Sequence, residues 1–119
     1  MEHKISIMVM SGVEDGQLHT CATANNDGLL ELDNEAWVLR LGRHADNDIC
    51  IRNDTYVSRY HARLHWRDHR WWLEDCNSRN GTFVEDRVED ARVFGTIPVE
   101  INQLFCLGHT WLRIQPPEE

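Results

Sequence analysis

Apolar residues in this chain recur at every second position, in runs too short to bury one side of a helix. Ile5, Ile7 and Val9 alternate with polar neighbours, and Trp37, Leu39 and Leu41 alternate against Val38 and Arg40. Ala62, Leu64 and Trp66 alternate with His61, Arg63 and His65. A period of two collects one set of side chains on one face of a strand and cannot draw the 3.6-residue stripe of a helix. Turn chemistry separates the runs at Gly12, Asp15-Gly16, Asn25-Asn26-Asp27-Gly28, Asp33-Asn34, Asp68-His69 and Gly108. Short strands with frequent turns predict an all-β fold, an antiparallel β-sandwich.

Strands are expected over residues 4–10, 17–23, 29–32, 36–41, 49–51, 61–66, 71–73 and 82–85. Further ones follow over 92–101 (broken at Gly95), 104–107 and 111–114. The stretch from Cys21 to Leu32 reads as a hairpin added to this scaffold. Residues 86–90 are charged and turn-like. Pro98 lacks a backbone donor, which argues for an edge position or a bulge. With 119 residues, one domain over 1–115 is expected, and Pro116-Pro117-Glu118-Glu119 reads as a tail or the start of a linker. The apolar run after Met1-Glu2-His3-Lys4 is too short for a signal peptide, and no run approaches the ~20 residues needed to span a bilayer.

His61, His65 and His69 are four apart and would share one face of a helix. The alternation around them predicts two antiparallel strands instead, so no metal site is expected. Cys21, Cys50, Cys76 and Cys106 lack a zinc-knuckle spacing and read as buried free thiols of a cytosolic protein. The five tryptophans read as core and strand-pairing residues, with one ring of Trp66, Trp71 and Trp72 left exposed. The formal net charge of -8 argues against nucleic acid and anionic membranes as partners. It does not exclude a local positive mouth, because exposed charges more than about 8 Å apart are largely screened at physiological salt.

Three polar islands lie between the strand-like runs from Leu39 to Val84. The first holds Gly42-Arg43, the second Ser58-Arg59-Tyr60-His61, the third Ser78-Arg79-Asn80-Gly81. Each carries donors for an anion, and loops between neighbouring strands can converge at one end of a sheet. Taken singly, these residues also have plainer uses. Gly42 and Gly81 suit turns, Arg43 could pair with Asp46 or Asp48, Ser58 could cap backbone, and Asn80-Gly81 fits a type I′ turn.

In this order, Gly42-Arg43, Ser58-x-x-His61 and Asn80-Gly81 closely resemble the forkhead-associated (FHA) family of phosphothreonine-peptide recognition domains. The surrounding Ser78-x-Asn80-Gly81-Thr82-Phe83-Val84 and the late Leu107-Gly108 also fit, and the resemblance covers roughly residues 36–115. It implies a β-sandwich with its ligand loops at one end. It implies that Arg43 and Ser58 bind phosphate directly, that Arg59 and Arg79 contact phosphate or peptide, and that Asn80 pairs with peptide backbone. Gly42, His61 and Gly81 would support the site, His61 by hydrogen-bonding backbone to brace the Ser58 loop. Arg79 departs from the small polar residue often found at its position.

The implied function is non-catalytic: an intracellular adaptor for phosphothreonine-containing proteins in Ser/Thr kinase signalling, the partner being, for example, such a kinase or its substrate. No cofactor is implied. The alternative is a phosphate-independent structural or self-association module on the same fold. An enzyme reading would need Ser58, His61 and Asp75 to act as a triad.

Overall fold

A computed structural model of the chain describes residues 2–31, 36–86 and 90–117. The expected turn at Asp33-Asn34, the end of the strand at Leu32, most of the 86–90 segment and the last two residues of the tail lie outside the described residues. Two sheets face each other. The first has the order β2 (Leu18–Ala22), β1 (Lys4–Ser11), β12 (Thr110–Ile114), β11 (Leu104–Leu107), β8 (Thr82–Val84) and β9 (Ala91–Arg92). The second has the order β10 (Thr96–Val99), β7 (Arg70–Asp75), β6 (Ala62–Arg67), β4 (Ala36–Gly42) and β3 (Leu29–Glu31). The pairings are antiparallel except that β5 (Ile49–Cys50) runs parallel to the end of β4. The only helical piece among the described residues is a 3-10 turn at Thr23–Asn25.

The alternating apolar positions fill the space between the sheets. Ile5, Ile7, Val9, Phe105, Leu107, Leu112 and Ile114 point inward from the first sheet. Trp37, Leu39, Leu41, Leu64, Trp71 and Leu73 meet them from the second. Asp68 and His69 both adopt positive φ in the turn joining β6 and β7, so the histidine spacing of four spans a hairpin rather than a helix turn. Pro98 sits on β10, the edge of its sheet, where the missing donor costs least.

The expected hairpin from Cys21 to Leu32 does not form. β2 pairs with β1 in the first sheet, whereas β3 pairs with β4 in the second, so this stretch crosses between sheets. Side chains on the far sheet decide this. The buried Trp37 indole donates to the Asp27 carbonyl (2.9 Å), and the Gly28 N–H donates to the Asp48 carboxylate (2.9 Å). Two other expectations also change. Cys50 and Cys76 are only half-buried, both lying at the ends of strands beside loops. No tryptophan of the 66–72 hairpin is left bare: Trp71 is buried, and the Arg67 and Arg70 guanidinium groups cover Trp72 at 4.7 and 5.4 Å from its ring centre.

Candidate functional site

The ends of β4 and β7 and the start of β6 place three loops together: residues 43–48, 51–61 and 76–81. Direct bonds tie them. The Arg43 and His44 N–H groups donate to the Ser58 and Arg59 carbonyls (3.0 and 3.1 Å), joining the first loop to the second. The Arg79 N–H donates to the Ser58 hydroxyl oxygen (3.1 Å), and the Asn80 amide donates to the Tyr56 carbonyl (2.9 Å), joining the third. All four polar candidates, Arg43, Ser58, Arg79 and Asn80, therefore stand on one connected surface, with Arg59 next to Ser58.

His61 is the bridge beneath that surface. Its ring is fully buried. Nδ1 accepts the Ser58 N–H at 2.9 Å, and the opposite nitrogen lies 2.9 Å from the Gly81 carbonyl. A carbonyl can only accept, so Nε2 carries the proton and the ring is neutral. Burial lowers its pKa; the Gly81 bond and the charges of Asp75 and Asp54 pull the other way without overcoming it. Both ring nitrogens are thus committed to backbone. The Ser58 backbone N–H is likewise spent on the ring rather than facing outward.

Gly42 shows why this end of the site has no side chain at that position. A Cβ there would overlap the Arg59 carbonyl oxygen and come within 2.9 Å of the Asn47 amide nitrogen. The loops approach so closely that only hydrogen fits. Gly81 has φ of 88°, a conformation that side chains resist. Asn80 is absent from the positive-φ residues, so Asn80-Gly81 is not a type I′ turn.

Several supporting residues carried no individual signal. Asp54, 2% exposed, accepts from the Tyr56 N–H, the His109 N–H and the Thr110 hydroxyl (2.9, 2.9 and 2.7 Å). It fastens the second loop to the β11–β12 turn. Asn47, also buried, donates its amide to the His44 and Arg59 carbonyls (2.8 and 2.7 Å). In the third loop, Asp75 accepts from the Ser78 and Thr82 hydroxyls (2.5 and 2.7 Å), and the Ser78 oxygen in turn accepts the Gly81 N–H (3.1 Å). Asp and Asn in loops are the one sequence clue to such local bonding, but two of the three partners of Asp54 lie more than fifty residues away.

The surface left outward is cationic. Arg43, Arg59 and Arg79 are exposed, and none joins an ion pair among the described residues. Arg43 instead donates its Nε to the Val57 carbonyl (3.0 Å), which fixes the guanidinium while leaving its terminal nitrogens available. Asp46 and Asp48, the carboxylates nearest in sequence, are occupied elsewhere: Asp48 by the Gly28 and Arg40 N–H groups, Asp46 by Tyr60. The Ser58 hydroxyl accepts from Arg79, so its proton remains free to donate. Burial pushes the Cys21 thiol up to about 12 and the Cys106 thiol up to about 11, and raises Cys76 as well. No group of three or more metal-ligating side chains occurs among the described residues.

Comparison with known proteins bears on the family and the fold. The family profile described as FHA domain matches residues 39–103. FhaB of Mycobacterium tuberculosis, an FHA domain-containing protein, is 37% identical over 76 residues, covering 64% of this chain and 46% of FhaB. The chain thus spans about half the length of the curated relatives it matches. An FHA domain solved in work on phosphothreonine-dependent FHA interactions aligns with a TM-score of 0.70 at 22% identity, covering 98% of this chain and 100% of that one. Mycobacterium tuberculosis EmbR, solved with a low-affinity phosphopeptide, aligns with a TM-score of 0.68 at 19% identity, covering 94% of this chain and 24% of EmbR. At these identities the structural likeness concerns the fold.

Proposed function

The chain belongs to the FHA family, and from that premise we propose that residues 1–115 form one non-catalytic module that binds phosphothreonine-containing partner proteins. One observation carries this reading: among the described residues, Arg43, Arg59 and Arg79 stand exposed and outside ion pairs, on the same loops as the Ser58 hydroxyl, which are locked together from below. A phosphomonoester brings about -1.5 to -2 charges and three acceptor oxygens. Arg43 offers a planar fork, Ser58 a hydroxyl proton, and Arg59 and Arg79 further charge. Asn80 spends one amide N–H on Tyr56, and its other N–H and its carbonyl suit a peptide main chain. Gly42, His61 and Gly81 hold the geometry.

Charge-assisted hydrogen bonds contribute about 1.5–3 kcal/mol each, offset by several kcal/mol of ordering on association. The outcome is a modest, reversible affinity suited to an adaptor. A pocket for the threonine methyl adds at most about 0.8 kcal/mol. Catalysis has no support in the geometry of the supposed triad. His61 meets the Ser58 backbone and not its hydroxyl, and Asp75 serves Ser78 and Thr82. The partner class, a phosphorylated protein of a Ser/Thr kinase system, and an intracellular location belong to the same reading. Four unpaired thiols suit a reducing compartment.

The test is a titration with matched peptides carrying phosphothreonine, phosphoserine or unmodified threonine, repeated on Arg43→Ala. Saturable binding of the phosphothreonine set, lost in the variant, is expected. Equal or absent binding across all three sets would refute the proposal and favour a phosphate-independent module.

A further inference from the structure

The outer face of the second sheet carries side chains that the phosphate loops do not use. Register places Leu29 beside Val38, Val38 beside His65, His65 beside Trp72 and Trp72 beside Pro98. Along the three central strands their neighbours Trp37, Leu39, Leu64, Trp71 and Leu73 fill the core, so this row points the other way. It is mainly apolar and crosses all five strands. Leu29 is 63% exposed, Pro98 is exposed, His65 and Trp72 are half-buried, and only Val38 is buried. Arginines flank the row on both sides. Two residues along in one direction, Arg40 and Arg63 are direct cross-strand partners; two residues along in the other, Arg67 and Arg70 are. Glu74 pairs with Arg63 (3.7 Å) and His65 (3.0 Å), and Glu100 with Arg70 (3.0 Å). Among the described residues, Arg40 and Arg67, one on each flank, join no ion pair. Arg67 lies against the Trp72 ring, and Arg40 donates to the Asp46 carbonyl (2.8 Å). A further carboxylate, Glu31, stands two residues from Leu29 on the edge strand.

We infer that this face docks an acidic amphipathic α-helix of a partner protein, laid across the strands with its apolar side on the row from Leu29 to Pro98 and its carboxylates reaching the arginines on both flanks. The dimensions select a helix. Strands about 4.8 Å apart make the row about 19 Å long, which about 13 residues of helix would cover. Two residues along a strand span about 6.7 Å, so the arginine rows stand about 13 Å apart, and a helix about 10–12 Å across fills the space between them. Charge selects the sign: the two arginines left outside ion pairs lie on opposite flanks, on a chain whose net charge is otherwise repulsive to acidic partners, at -8. Tryptophan and arginine are the side chains that contribute most at protein interfaces. Trp72, with two guanidinium groups already against its ring, loses little freedom on docking. Nucleic-acid phosphates would engage the arginines but leave the apolar row uncovered. The loops 43–48, 51–61 and 76–81 lie at the strand ends rather than on this face, so docking here is independent of phosphorylation.

The experiment titrates two synthetic, unphosphorylated helical peptides of about 15 residues into the whole chain, followed by NMR. Both carry Leu at every third or fourth position; one has Glu on both flanks of that stripe, the other Lys. The Glu peptide should bind saturably, more weakly as salt rises, and shift the amides of β4, β6 and β7. Arg67→Glu and Leu29→Asp change exposed side chains on the flank and on the row, so the fold should persist. Each should weaken the Glu peptide about fivefold or more while leaving Tm and phosphothreonine-peptide affinity unchanged. Equal binding of the Lys peptide, no saturable binding of the Glu peptide, or binding untouched by both variants would overturn the inference and leave the phosphothreonine reading standing. So would tighter competition for the face by a single-stranded DNA oligonucleotide, which would make the occupant nucleic acid. Concentration-dependent dimerisation lost in Arg67→Glu would overturn it as well, the occupant then being a second copy of this chain.

Discussion

Replacing His61 with Ala should damage the fold and the site together, because one ring satisfies two loops. The substitution orphans the Gly81 carbonyl, which is buried, and the Ser58 N–H, which is partly so. An unsatisfied buried group costs about 1–3 kcal/mol, and the void left by the ring adds to that. A loss of about 3–5 kcal/mol in unfolding free energy follows, or about 10–20 °C in Tm for a domain of this size. Binding should also weaken. If one or two residues around Ser58 regain freedom, each adds about 1–2 kcal/mol of ordering on association, so phosphopeptide Kd should rise about tenfold or more.

The pH dependence provides a separate check on the same ring. Burial depresses the His61 pKa below 6.5, so the native state favours the neutral form. Its contribution is complete above about pH 6.5 and is lost as pH falls through the depressed native value. Wild type should therefore lose stability on acidification more steeply than His61→Ala. Some slope should remain in the variant, since burial also lowers the pKa of His19. Denaturant melts from pH 7 to pH 5 and peptide titrations on both proteins are the assays. A loss under about 1 kcal/mol with unchanged affinity and unchanged pH slope would refute the bridging role.

Two other changes act on the supports of the same loops. Gly42→Ala forces a methyl against the Arg59 carbonyl oxygen; a cost of about 1–3 kcal/mol is expected, with weaker phosphopeptide binding, and wild-type behaviour in both melts and titrations would contradict the close approach. Asp54→Ala removes the acceptor of three hydrogen bonds at a buried position. A loss of at least about 3 kcal/mol is expected, together with faster amide exchange at Tyr56 and His109, and unchanged exchange there would show that the loop is held some other way.

The strands were legible because each needs only local alternation. Ile5-Ile7-Val9 and Trp37-Leu39-Leu41 declare their buried face within five residues, and the structure buries those six side chains. The hairpin over 21–32 failed for the complementary reason. Asn-Asn-Asp-Gly announces a turn, but the choice of sheet was made by Trp37 and Asp48, which lie beyond any local window. The cluster of Arg43, Ser58, Asn80 and His61 was visible as an ordered set of motifs. Its fastening by Asn47, Asp54 and Ser78 was not, because an Asp or Asn in a loop looks alike whether it faces water or a distant strand.

By itself, then, the sequence determined the strand periodicity, the turn positions and the residue types able to meet a phosphate. The tertiary structure alone decided which sheet each strand joined, which donors were left free and which were spent internally. The Ser58 N–H is spent on His61, while among the described residues the three arginines form no ion pair, and the carboxylates nearest Arg43 in sequence are taken by backbone and Tyr60. Hydrogen-bond capacity belongs to a side chain, but its availability depends on every group that folding brings within reach.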